Sequence, residues 1–300
     1  MMQSFGQNFE LLCEFFQASP LWYGVLVFIF SLCVGSFLNV VIYRLPKMME
    51  QSWQQEYLEY FEPDKEHPQQ PVFNLAVPRS RCPACQHQLS ALDNIPLLSW
   101  LALKGRCRYC QAAIPSRYPL VELFTALVSA AVAAQTGATG LGLLYLVVSW
   151  MLVALVFIDI DKMLLPDQLT LPLLWLALVA AAAGFSTVDA TTAITGAAFG
   201  YLSLWSVYWL FKLLTGKEGM GFGDFKLLAV FGALLGWQQL PLIILLSSLV
   251  GAVIGTLLLT MQGKDKNNAI PFGPYIAAAG FIAMLWGEQI TAAYLATLGL

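Results

Sequence analysis

Eight apolar runs, most of them close to the length of a membrane-crossing helix, constrain this chain more than any other feature. They cover residues 21–43, 120–135, 141–158, 169–185, 190–211, 225–236, 240–261 and 270–287. A helix needs roughly 20 predominantly apolar residues to cross the hydrocarbon core, and only the sixth run falls well short of that. Composition agrees. Apolar residues make up 58% and charged residues 11% of the chain, with a mean hydropathy of +0.68, whereas a soluble domain is about a quarter charged. The expected fold is therefore an all-α polytopic membrane protein with about eight transmembrane helices. A net charge of -3 without a basic patch gives no reason to expect a nucleic-acid partner. No Lys or Arg precedes Arg44, so the basic start of a cleavable signal peptide is missing and the first helix is expected to stay as an anchor.

Orientation follows from the basic residues, because cytoplasmic loops retain Lys and Arg. Nine of the fifteen lie between Arg44 and Arg117. With that stretch inside and the helices alternating after it, Lys162, Lys212, Lys217, Lys226, Lys264 and Lys266 also fall on the cytoplasmic side, while the opposite loops carry Asp189 and Glu288 and no base. The expected domains are an N-terminal segment with the first helix (1–43), a cytoplasmic domain (44–118) and a membrane domain (119–300). Within the cytoplasmic domain, residues 47–66 mix charge with Trp53, Tyr57, Tyr60 and Phe61, the pattern of an amphipathic helix near the membrane surface or of a solvated linker.

Cys82 and Cys85, then 21 intervening residues, then Cys107 and Cys110 have the spacing of a zinc ribbon, in which two knuckles give four thiolates to one tetrahedral ion. A reducing cytosol disfavours a disulfide at these positions. Four ligands leave no open coordination position, so the role expected of one Zn2+ per chain is structural. Cys13 and Cys33 stand apart, and His67 and His87 have no ligand spacing between them.

Catalytic chemistry is expected from aspartates at the membrane. Asp159, Asp161 and Asp167 follow one apolar run and precede another, and Gly219, Gly221 and Gly223 lead into Asp224. The topology above places both groups on the cytoplasmic face. Two carboxyls sharing one partly dehydrated cleft cannot both ionise easily, so one keeps its proton. The ionised member can then activate water while the protonated one donates to the scissile carbonyl. Glycine before Asp224 would permit unusual φ or close approach of a substrate main chain. Asp161 and Asp167 read as loop residues, Asp167 as an N-cap, with Lys162 or Lys226 as ionic partners. Asp159 and Asp224 lie tightest against apolar sequence, where an ionisable group is by default functional.

These residues, taken together, resemble the bacterial type IV prepilin peptidases, bifunctional leader peptidases and N-methyltransferases of the GxGD aspartyl protease group. The resemblance runs through residues 35–46 with Asn39 and Arg44, 82–85, 93–100 with Asn94, Pro96 and Trp100, 105–110, 117–122 with Pro119 and Glu122, 159–167 and 221–224. It implies that Asp159, seven residues before Pro166, and Asp224, ending Gly-x-Gly-Asp, are the catalytic pair. It also implies cleavage of a short leader from prepilins and pilin-like secretion subunits at the cytoplasmic face of the bacterial inner membrane, with the N-terminus outside and membrane lipid around the helices. Methylation of the new N-terminus with S-adenosylmethionine as donor is implied as well, but no nucleotide-loop motif locates the donor site. Two other classes fit parts of the pattern: a proton-coupled transporter using the aspartates, without the internal repeats such folds often carry, and a zinc-bearing scaffold needing only the cysteines.

Overall fold

A computed structural model describes residues 15–62, 72–262 and 270–297. Cys13, His67, Lys264, Lys266 and the end of the 47–66 stretch lie outside the described residues. All eight apolar runs fall in helices, and no strand forms among the described residues. Six helices are long and apolar enough to cross a membrane. Asp167–Ala182 and Phe222–Leu235 are shorter, at 16 and 14 residues. The chain divides into two compact units, Met1–Ala134 and Gln135–Leu300.

In the first unit, α1 (Pro20–Phe61) opens with Pro at its first position, where the missing N–H costs nothing. It does not end with the apolar run at Tyr43 but runs on through Pro46 to Phe61, 42 residues in all. The amphipathic stretch expected after Lys47 is thus the end of the same helix. After it come a 3₁₀ turn (Leu92–Asn94), the short α2 (Leu98–Ala102) and α3 (Arg117–Thr136). Buried Glu122 of α3 accepts the Leu97 N–H at 2.7 Å. Leu97 adopts φ 59, ψ -48, and the Leu98 N–H reaches Pro96 O at 2.5 Å, a γ-turn that an unsupported leucine would rarely adopt. Gly35 lets α1 approach α3 here, since a Cβ on it would lie 2.7 Å from the Glu122 Cα.

The second unit holds α4 (Gly140–Lys162), α5 (Asp167–Ala182), α6 (Ala190–Thr215), α7 (Phe222–Leu235), α8 (Leu240–Gln262) and α9 (Gly273–Thr297). Thr139 caps α4 by accepting the Gly142 N–H, and Asp189 caps α6 by accepting the Thr191 and Thr192 N–H groups. The Thr192 hydroxyl leads in holding the Asp189 carboxyl below its usual range. Short α7 is the centre of this unit, packed against α5, α6 and α9. Phe225, Leu227, Val230, Phe231 and Leu234 on it are all fully buried. A helix apolar on every side belongs inside a bundle. Its contact with α6 is main chain on main chain: Gly196 and Gly232 face each other so closely that a Cβ on either would collide with the other's carbonyl. Without a hydrophobic force between helices in lipid, such small-residue contacts supply much of the packing.

Candidate active site

Asp159 occupies the last turn of α4, which closes at Met163 in the left-handed conformation with its N–H on Asp159 O at 2.8 Å. The loop after it carries Leu165 and Pro166 into α5. Asp224 sits in the first turn of α7, its N–H on Gly221 O at 3.2 Å. Both aspartates are buried, 5% and 7% exposed, among neighbours such as Ile158 and Phe225 that are fully enclosed. Leu165 links them, since it meets the Cβ positions of both Gly223, next to Asp224, and Gly273, next to Asp159 Oδ2. The structure therefore brings together the two carboxyls that the sequence singled out, from helices 65 positions apart in the chain.

A third segment completes the site. A Cβ on Gly273, the first residue of α9, would lie 2.5 Å from Asp159 Oδ2, and the Gly273 N–H faces that carboxyl. Oδ2 itself is fully buried without a complete hydrogen bond. A buried carboxyl oxygen left without a partner costs free energy unless something else uses it. Leu165 is wedged between the two glycine segments, 2.6 Å from the Cβ position of Gly223 and 3.1 Å from that of Gly273.

One of the two uses expected of the glycines before Asp224, an unusual φ, is not taken up. None of Gly219, Gly221 and Gly223 has a positive φ. Gly223 and Gly219 allow close approach within the protein, since a Cβ on Gly223 would lie 2.6 Å from Leu165 Cβ and one on Gly219 would lie 2.9 Å from the Phe211 ring, whereas the nearest atom to a Cβ on Gly221 would be Asp224 Oδ2 at 3.8 Å. Asp167 is also placed differently. Pro166 holds the N-cap position, Asp167 is the first helical residue, and its Oδ1 takes Lys226 Nζ at 2.5 Å. This ion pair ties the start of α5 to α7 one half-turn beyond Asp224. Asp161 is exposed at the end of α4. Sequence reasoning missed Gly273 and Leu165. The only local signal was Pro271, Phe272, Gly273 and Pro274 opening the last apolar run, which reads as a helix start and nothing more.

The four cysteines form a separate cluster in the first unit. Two matching turns build it. The Cys82 N–H donates to His87 O and the Gln86 N–H to Cys82 O; 25 residues on, Cys107 donates to Ala112 O and Gln111 to Cys107 O. Gln86 and Gln111 both adopt φ 58. The sulfurs lie within 4.8 Å of one another, Cys82 and Cys110 at 3.7 Å. Tetrahedral zinc with sulfur at about 2.3 Å requires sulfur pairs roughly 3.8 Å apart, so donor set and spacing both fit. The amide N–H groups of Cys85 and Ala84 draw the Cys82 thiol down to about 6. At Cys110 the Ala112 amide acts in the same direction but is outweighed by desolvation and the adjacent sulfurs, which push it up to about 11. His87 is no ligand; its ring lies 3.6 Å from that of Tyr109 and links the two turns.

Residues 29–136 match the family described as Bacterial Peptidase A24 N-terminal domain, and residues 146–256 match the Type IV leader peptidase family. A protein from Aeromonas hydrophila named prepilin leader peptidase/N-methyltransferase is 61% identical, over 95% of this chain and 98% of its own length. Proteins of the same name from Pseudomonas aeruginosa and Legionella pneumophila are 54% and 46% identical, over 95% and 90% of this chain and 97% and 93% of their own. No solved structure matches the chain.

Proposed function

Because this chain belongs to the type IV leader peptidase family, we propose that Asp159 and Asp224 are the pair with which it cleaves the leader from prepilins. It is a multi-pass membrane endopeptidase that also N-methylates its product. The observation that carries the assignment is the convergence of two buried carboxyls, one with an oxygen left unpaired. In the cleaving step the ionised carboxyl takes a proton from water as its oxygen attacks the scissile carbonyl, and the protonated carboxyl donates to the carbonyl oxygen. Collapse of the tetrahedral intermediate returns that proton to its carboxyl, while the carboxyl that took the proton from water gives it to the departing amide nitrogen. No bond to the enzyme forms. In the second reaction the freed amine attacks the methyl carbon of the co-substrate S-adenosylmethionine. The carbon–sulfur bond breaks as the carbon–nitrogen bond forms, a neutral thioether departs, and the amine sheds a proton.

Cys82, Cys85, Cys107 and Cys110 hold one structural zinc ion, which ties the two turns together and leaves no position open for substrate. The substrates include pilin-like secretion subunits as well as pilins. The helices make eight crossings of the bacterial inner membrane with the N-terminus outside and the aspartates at the cytoplasmic face, as the placement of Lys and Arg favours. Purified enzyme in detergent, incubated with a prepilin with and without S-adenosylmethionine, is expected to yield a product shortened by the leader, and heavier by one methyl group only with the donor. An uncut precursor would refute the reading.

A further inference from the structure

In the first unit, α1 crosses from its apolar run into the charged part of the chain at Arg44, and a cavity of about 320 Å³ opens there. One wall is α1 itself, through Val40 and Arg44. The others come from the loop around Leu75–Arg79, from Gln88 and Leu89 beside the first cysteine turn, and from Asn94 of the 3₁₀ turn. Its size falls at the lower end of the range of small-ligand sites, and its lining is more polar than is usual for them.

Arg44 is the feature that asks for an explanation. It is 8% exposed. Its guanidinium donates to Asn74 O at 2.8 Å and Pro78 O at 2.6 Å, with a longer contact to Leu75 O, and stands over the Phe73 ring. Those partners are neutral, and they leave at least two of its five N–H donors unused. Among the described residues no carboxylate pairs with Arg44, nor with Arg79, which also lines the cavity. A buried charge is ordinarily paired, because losing its hydration otherwise costs several kcal/mol. The loop is already set, since Asn74 Oδ1 accepts the Ala76 and Val77 N–H groups at 2.8 and 2.7 Å. Arg44 and Arg79 thus both line a preformed cavity whose other polar lining residues are Ser80, Gln88 and Asn94, with no acid among the described residues that line it.

We propose that this cavity binds a phosphate-bearing anion, presented either by the headgroup of an acidic phospholipid or as soluble phosphate. Guanidinium groups bind phosphate through paired N–H donors, and a basic pocket where a helix leaves the membrane suits an anionic headgroup. With no acid among the described lining residues, the quaternary ammonium of a choline headgroup finds no partner there.

The test uses the full-length, zinc-loaded protein. Lipid retention is read by native mass spectrometry after transfer from nanodiscs of phosphatidylglycerol or of phosphatidylcholine, and thermal stability is read in neutral detergent with and without inorganic phosphate. A lipid ligand gives retained phosphatidylglycerol and little phosphatidylcholine; a soluble ligand gives stabilisation by phosphate alone. In either case Arg79→Ala, and Ala91→Trp, which adds bulk to the cavity wall, should weaken the effect at least about tenfold. Arg81→Ala, outside the cavity, should not. Equal retention of both lipids with no response to phosphate would overturn the proposal, as would an effect equally strong in Arg79→Ala and Ala91→Trp.

Discussion

Gly273 brings its main chain so close to Asp159 that a single added carbon would lie 2.5 Å from Oδ2. The start of the last helix therefore forms one side of the aspartate site. Gly273→Ala should push the Asp159 carboxyl out of position and lower kcat for cleavage by about a hundredfold, the scale of losing one well-placed acid or base. Gly24→Ala, where nothing lies within 4 Å of the added carbon, should have no effect. Equal activity of the two variants would remove Gly273 from the site.

The Asp167–Lys226 pair offers a smaller effect. Asp167 is half exposed, so solvent screens the pair and its contribution is at most about 1 kcal/mol. Asp167→Asn should slow cleavage only a few fold. Exchanging the charges, Asp167→Lys with Lys226→Asp, should restore more activity than either single reversal leaves. A complete loss in Asp167→Asn would mean that it takes part in the chemistry.

Freshly purified, reduced protein should contain about one zinc per chain, measured by elemental analysis. Cys82→Ser and Cys107→Ser should each lose it, since Cys82 and Cys107 are the buried pair. The same variants should become sensitive to protease between the two turns.

Asp93 gives a pH-dependent stability with a definite sign. The Ser90 hydroxyl first, and Arg108 at 2.7 Å, hold its carboxyl below the usual carboxylate range. A folded-state value below the unfolded one contributes stability that is present above pH of about 4 and lost as pH falls through the folded value. Asp93→Asn should therefore lower the melting temperature at pH 7, and the difference from the parent should shrink on acidification. A difference that grows with acid would reverse the assignment.

Reporter tags test the arrangement in the membrane. Tags after Glu66, at Gly216 and at Gly263 should be cytoplasmic, and a tag near Thr187 should be on the outer face. An outer-face signal at Gly216 would separate Asp224 from the proposed cytoplasmic face.

Much of this was legible in the sequence because its causes are local. Apolar run length marked the eight longer helices, and paired cysteine spacing gave the four-cysteine cluster. Asp159 and Asp224 stood out because each abuts apolar sequence. What stayed hidden depends on contacts between distant segments. The length of α1 could not be read from hydropathy, since the helix outlasts its apolar run by continuing through Pro46. Gly223 and Gly273 look like turn or helix-start glycines until Leu165 and Asp159 are seen against them. Arg44 reads as a charge flanking the membrane, and only the folded loop shows it buried beneath carbonyl oxygens.

The central claim is that Asp159 and Asp224 form one catalytic unit, and cleavage by the single and double asparagine variants tests it most directly. Correctly inserted, zinc-loaded Asp159→Asn and Asp224→Asn proteins should each lose prepilin cleavage almost as fully as the double variant, because groups that act together are strongly non-additive. Methylation of pilin already cleaved should persist in both if the transferase site is separate. Substantial cleavage by the Asp224→Asn protein, or losses in the two single variants that simply multiply in the double, would contradict the shared site.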